Sequence, residues 1–269
     1  MSRIENRFVE LRARKRKALI PYITAGDPAL STSLSLMHVM VDAGADILEL
    51  GVPFSDPMAD GPVIQAGYER ALKHHVSLAH VLALVAEFRK MDTTTPVVLM
   101  GYLNPIEIMG YQRFAHEAAE AGVDGVLTVD LPPEEAHELI AALQPVQLDP
   151  IFLIAPTSRA RRIALVSKVA SGFVYYVSLK GVTGAHSLDV TSVADKLAEI
   201  RQHTALPIGV GFGIKDAATA ARIARIADAV VVGSALVRCI ELNVEQEARM
   251  QSDIAGLLNA MREAMDESR

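Results

Sequence analysis

The chain has 269 residues and a mass of 29.0 kDa, is 51% hydrophobic and 22% charged, and carries a formal net charge of −6. That composition supports a sizeable buried core, and its acidity argues against a nucleic-acid-binding surface, which needs concentrated positive charge. The single cysteine, Cys239, excludes an intrachain disulfide, and no uninterrupted apolar run reaches the about 18 residues of a membrane-spanning helix.

The opening stretch MSRIENRFVEL is charged throughout and lacks the apolar segment of a signal peptide, so a reducing, cytoplasmic location is expected. The basic run RARKRK (12–17) reads as a solvated helix end rather than a polyanion patch on so acidic a chain. From there one pattern repeats: a short apolar run rich in β-formers, a Gly/Pro/Asp turn, then a longer Ala/Leu-rich stretch at helical spacing. Strands are predicted at ALIPYIT (18–24), ADILEL (45–50), TPVVLM (95–100), DGVLTV (124–129), DPIFLI (149–154), GFVYYV (172–177), LPIGVG (206–211) and DAVVVG (228–233). Most show little polar alternation, as expected of parallel strands covered on both faces. Helices are predicted over 31–43, with Ser/Thr caps and a stop at Gly44, over 105–121 with a stop at Gly122, from Pro132-Pro133-Glu134-Glu135 onward, and over 215–227 and 245–265. AGAD (43–46) and AGVD (121–124) recur at helix-to-strand junctions, each with a Gly for the helix C-cap and an Asp entering the next strand. About eight such units in roughly 250 residues predict one α/β domain, a (β/α)8 TIM barrel with an extra N-terminal helix. An open doubly wound sheet is the alternative, but the first strand leads into TAGDPA and not into G-x-G-x-x-G.

In such a barrel the site forms at the C-terminal strand ends. The polar residues there are Tyr22, Thr24 and Asp27; Glu49, Asp56 and Asp60; Tyr102 and Asn104; Asp130; Tyr175; Lys180 and Thr183. GVGFG (209–213) and VVGSA (231–235) follow the seventh and eighth strands, with Ser234 beside Gly233. Glycine at one tight turn needs no ligand, but two such turns at those strand ends point to a phosphate site. SLKGVTGA (178–185) reads as a lid. Glu49 shares a strand face with Ile47, amid apolar neighbours, so its pKa is expected to rise into the range of a group that gives and takes protons near neutrality. The other reading of a Glu in that place is an ion pair with a nearby Lys or Arg. Asp60, in a Pro/Gly loop, is expected to be wetter and ionised. The eight histidines are scattered without metal-ligand spacing, and no G-x-S-x-G elbow occurs. The rival chemistry is a Schiff-base aldolase built on Lys180, just past the sixth strand.

Four stretches together, PYITAGDP (21–28), LELGVPFSDPMADGP (48–62), SLKGVTGA (178–185) and GFGI (211–214), resemble the tryptophan synthase alpha-subunit family, and the resemblance extends from Ile4 to the last helix. It implies a lyase that cleaves indole-3-glycerol phosphate to indole and glyceraldehyde 3-phosphate by a retro-aldol reaction. Glu49 would be the general acid/base, Asp60 would accept the indole N–H, and Tyr175 would lie by the reacting centre. The phosphate would bind around Gly184, Gly213, Gly233 and Ser234; Tyr22, Met100, Val129, Leu153 and Phe212 would line the indole pocket; Lys180 and Thr183 would belong to the lid. The resemblance also implies no cofactor on this chain, and a pyridoxal-phosphate beta subunit as partner in an alpha2beta2 heterotetramer, contacted by loops 53–60 and 104–110. Two departures stand out: Tyr22 occupies a place where the family suggests Phe, and SLKG replaces an SRSG-type lid.

Overall fold

A computed structural model describes residues 1–178, 189–211 and 213–267. Its strands are Ala18–Thr24 (β1), Leu48–Gly51 (β2), Val97–Gly101 (β3), Gly125–Thr128 (β4), Asp149–Ile154 (β5), Val174–Val177 (β6), Ile208–Gly211 (β7) and Ala229–Val232 (β8). All are parallel and close into a barrel in chain order, with β8 paired back to β1. The predicted (β/α)8 barrel is the observed fold, and the open sheet is excluded.

The Asp residues of the helix-to-strand junctions explain why several strands start later than predicted. Asp46 donates its N–H to the carbonyl of Leu19 and accepts from the Leu19 N–H through its carboxylate, both at 2.9 Å. Asp124 grips Val97 the same way (2.9 and 2.8 Å), and Asp228 grips Ile208 (both 3.0 Å). Each clamp satisfies the first backbone groups of a strand at the N-terminal end of the barrel. Each is also matched by an arginine: Arg262 on Asp46, Arg89 on Asp124 and Arg201 on Asp228, at 3.0, 2.7 and 3.3 Å. The preceding glycines of AGAD and AGVD, Gly44 and Gly122, adopt φ of +95° and +89°, as the C-cap reading required.

An N-terminal helix, Arg3–Ala13 (α1), closes that same end. Its Ile4, Phe8 and Leu11 are buried with the inward-facing strand residues, and the Phe8 and Phe173 rings stand 6.0 Å apart. The basic run at its end is tied down by Lys17 to Asp228 and Arg16 to Asp266. The other helices are Leu30–Asp42 (α2), Pro62–Leu72 (α3), Leu78–Arg89 (α4), Leu103–Met109 (α5), Tyr111–Ala121 (α6), His137–Leu143 (α7), Ala160–Val169 (α8), Val190–Arg201 (α9), Ala217–Ala224 (α10), Ser234–Leu242 (α11) and Glu247–Glu267 (α12).

Three helix predictions need correction. The helix predicted over 105–121 is two helices, because Gly110 takes φ +86° and ψ 132°, which an α-helix cannot contain. Pro132 to Glu135 form a turn, and α7 opens only at His137. The Ser/Thr cap expected on α2 is absent: Ala29 is the N-cap, and the Ser33 hydroxyl instead accepts from Gly26 N–H in the preceding loop. Cys239 is half-buried, and burial pushes its thiol up.

Candidate active site

β2 carries Glu49 one strand over from Tyr22, its register partner on β1, and Val98, its partner on β3. The side chain is buried, and neither carboxylate oxygen has a hydrogen-bond partner among the described residues. An ion pair with Lys or Arg is therefore not found there. A carboxylate stripped of water and donors holds its proton. Burial, and then the nearby charge of Asp60, push Glu49 from 4.5 up to about 8.

Asp60 lies in the loop from β2 to α3, and here the expectation of a wet carboxylate is wrong: only 9% of it is exposed. The loop is folded around Tyr102, which follows β3. The Tyr102 hydroxyl donates to Asp60 Oδ2 at 2.7 Å and accepts from the N–H of Ala59 at 2.9 Å, while the Phe54 ring stacks on it at 4.8 Å. Burial raises the Asp60 carboxyl above its usual range, and the Tyr102 hydroxyl bonded to it, with that of Tyr68 nearby, pulls it part of the way back down. The two carboxylates are thus unlike, as expected, but the difference is one of hydrogen bonding rather than of wetting. The unbonded Glu49 is the proton holder, and Asp60 is the carboxylate that has a hydroxyl donor.

Tyr22 and Tyr175 lean across neighbouring strands. A Cβ on Gly51 would stand 2.1 Å from the Tyr22 hydroxyl, and one on Gly211 would stand 2.2 Å from the Tyr175 hydroxyl. Glycine at both places is what lets the phenols lie flat over the strand ends. Burial raises both phenols far above their usual range, so they stay protonated, and that of Tyr22 donates to Tyr68. Of the expected indole pocket, Tyr22, Met100 and Val129 pack in one cluster at the strand ends, and Leu153 pairs in register with Tyr175 and flanks the barrel interior.

Gly213 follows β7 with φ +76°, Gly233 is the N-cap of α11 beside the Tyr22 ring, and Ser234 is that helix's first residue. Gly184, Phe212, Lys180 and Thr183 lie outside the described residues. Asp27 is taken up by a two-pronged pair with Arg70 at 2.7 and 2.8 Å, and Asp56 is exposed and accepts from Ser55. Asp130 is exposed and accepts from the Leu103 N–H at 2.9 Å, and Asn104 is exposed on α5. Among the described residues no group of three His, Cys, Asp or Glu is placed to hold a metal. Tyr68, on α3, is a site neighbour that the strand-end survey misses. The buried stripe Ile64, Tyr68, Ala71 was the signal for it.

A closed (β/α)8 barrel that holds a protonated glutamic acid beside a hydrogen-bonded aspartate at its C-terminal strand ends defines an enzyme of the acid–base class. Residues 8–266 match the family model described as tryptophan synthase alpha chain, and the chain belongs to that family. It is 64% identical over 266 residues to the tryptophan synthase alpha chain of Thioalkalivibrio sulfidiphilus, covering 99% of this chain and 100% of that one. It is 62% identical to that of Nitrosococcus oceani, covering 99% and 98%. Among solved structures, subunit alpha of tryptophan synthase from Legionella pneumophila superposes with a TM-score of 0.92 at 46% identity, covering 99% of each chain.

Proposed function

We propose that Glu49 and Asp60 are the two catalytic carboxylates of this chain. As a tryptophan synthase alpha chain it is a lyase that cleaves indole-3-glycerol phosphate to indole and glyceraldehyde 3-phosphate. The observation that carries the assignment is the unbonded, buried, protonated Glu49 next to a hydrogen-bonded Asp60. Glu49 gives its proton to C3 of the indole ring. The ring becomes cationic, and the charge shared by its N–H is met by the Asp60 carboxylate. Glu49, now ionised, takes the proton of the glycerol-chain hydroxyl next to the ring as the carbon–carbon bond breaks. Indole and an aldehyde leave, and Glu49 has its proton back. Tyr175 lies by the reacting centre. Tyr22, Met100, Val129, Leu153 and Phe212 form the apolar wall a flat bicycle needs. The phosphate falls to Gly184, Gly213, Gly233 and Ser234, where the start of α11 adds positive dipole. Lys180 and Thr183 belong to the lid. A Schiff base on Lys180 is not part of this chemistry.

Family membership implies a beta subunit as partner. We place the contact on segments 53–60 and 104–110, in an alpha2beta2 assembly with pyridoxal phosphate on the beta chain. In support, each segment carries a large apolar side chain in water, Met58 at 88% and Ile108 at 80% exposure. The Met58 segment also carries Asp60, so docking and chemistry would be coupled. The test is release of indole from indole-3-glycerol phosphate by the purified chain, alone and with a tryptophan synthase beta subunit. Slow release that rises sharply with the partner is expected; no release in either case would contradict the reading.

A further inference from the structure

Three buried hydroxyls lead from the floor of the site toward Asp60. Tyr22 donates to the Tyr68 hydroxyl at 3.3 Å, and the Thr24 hydroxyl lies 3.3 Å from that of Tyr22. Since Tyr22 spends its one proton on Tyr68, Thr24 is left to donate to Tyr22. Thr24, Tyr22 and Tyr68 are 0, 3 and 0% exposed, so water does not stand in for any link. Tyr68 accepts from Tyr22, which frees its own proton for an acceptor beyond. The backbone brings that acceptor close: Gln65, three residues before Tyr68 on α3, donates its Nε2 to the carbonyl of Asp60 at 2.8 Å. Residues three apart share a helix face. Tyr68 also packs in one cluster with Tyr102, the other donor to Asp60.

We propose that Tyr68 is a positioning residue of the lyase reaction: fed by Tyr22 and Thr24, its hydroxyl donates to the Asp60 carboxylate alongside that of Tyr102 and fixes the orientation in which Asp60 meets the indole N–H. The proposal rests on the role given to Asp60 above. It also gives the Tyr22 hydroxyl a purpose, since without it Tyr68 has no partner that sets the direction of its proton. The groups coupled to Asp60 are Glu49 on β2, Tyr22 on β1, Tyr68 on α3, Tyr102 after β3 and Tyr175 on β6. Among the described residues no cation is one of them, and the donors found there are hydroxyls.

The test compares Tyr68→Phe, Tyr22→Phe, the double variant and Asp60→Asn in the full chain with its beta subunit, across pH. Losing a hydrogen bond to a charged group lowers kcat by about ten-fold or more in Tyr68→Phe, while KM stays within about two-fold. The acidic limb of kcat/KM moves to higher pH, because Asp60 loses a donor to its ionised form. Tyr22→Phe moves it the same way by less, and the double variant is no worse than Tyr68→Phe alone. A merely structural tyrosine would change the melting temperature and leave the limb in place. An unmoved limb in both single variants, with Asp60→Asn inactive, would overturn the proposal and leave the role of Asp60 intact. Wild-type turnover in Asp60→Asn would overturn both.

Discussion

Glu49 titrates near 8 in the folded chain and near the ordinary 4.5 once it is unfolded. Between those values the folded state keeps a proton that the unfolded state has released, so stability is full below 4.5 and falls as pH rises toward 8. Glu49→Gln, with no proton to lose, is expected to escape that slope and to exceed the wild type by on the order of a few kcal/mol at pH 8. Urea unfolding at pH 6 and pH 8 checks this: the gap between variant and wild type should widen with pH, and a constant gap would mean that Glu49 is not a buried acid. The position therefore costs stability, a pattern expected where a side chain is kept for chemistry rather than packing. Asp60 shows the opposite treatment of the same functional group. A phenol on its Oδ2 offsets part of the burial, so two carboxylates a short loop apart in sequence sit in unlike surroundings.

At the scale of strands and helices, the site depends on glycines that admit side chains from next door. In Gly51→Ala the new methyl would meet the Tyr22 hydroxyl at 2.1 Å and its ring carbons at 2.7 and 2.9 Å. Overpacking of this kind costs about 1–3 kcal/mol, and the displaced ring should weaken substrate affinity as well. Adding Tyr22→Phe removes the nearest atom and should restore part, but not all, of the stability, read from denaturant midpoints; full independence of the two changes would contradict the contact. The barrel was legible because each strand is an apolar run closed by a turn. Glu49 was legible because it interrupts such a run. What stayed hidden depended on partners distant in sequence. Asp60 was expected in water because its loop is rich in Pro and Gly, yet Tyr102, 42 positions further on, buries it. The split at Gly110 was obscured because helical spacing continues across it, and only the backbone angle of that residue shows the break. Tyr68 was overlooked because it sits on a helix and the survey followed strand ends.

Over the whole molecule the two ends of the barrel are built to different purposes. At the N-terminal end every clamp carboxylate of Asp46, Asp124 and Asp228 meets both a backbone N–H and an arginine. The buried carboxylates of Asp46 and Asp124 are there both paired and hydrogen-bonded, as a buried charge requires, and the half-buried Asp228 has the same two partners. At the C-terminal end, among the described residues, Glu49 has neither, and phenols stand around Asp60. The barrel thus holds its buried acid at the mouth, beside the loop that carries the exposed Met58. The central claim is that Glu49 moves the proton on which carbon–carbon cleavage depends. Its most direct test is Glu49→Gln in complex with the beta subunit, followed by indole release and, on the same sample, by affinity for indole-3-glycerol phosphate. Loss of turnover by at least about a thousand-fold, with affinity within a few-fold of wild type, is the predicted result; turnover near that of the wild type would contradict the assignment of Glu49 and the mechanism built on it.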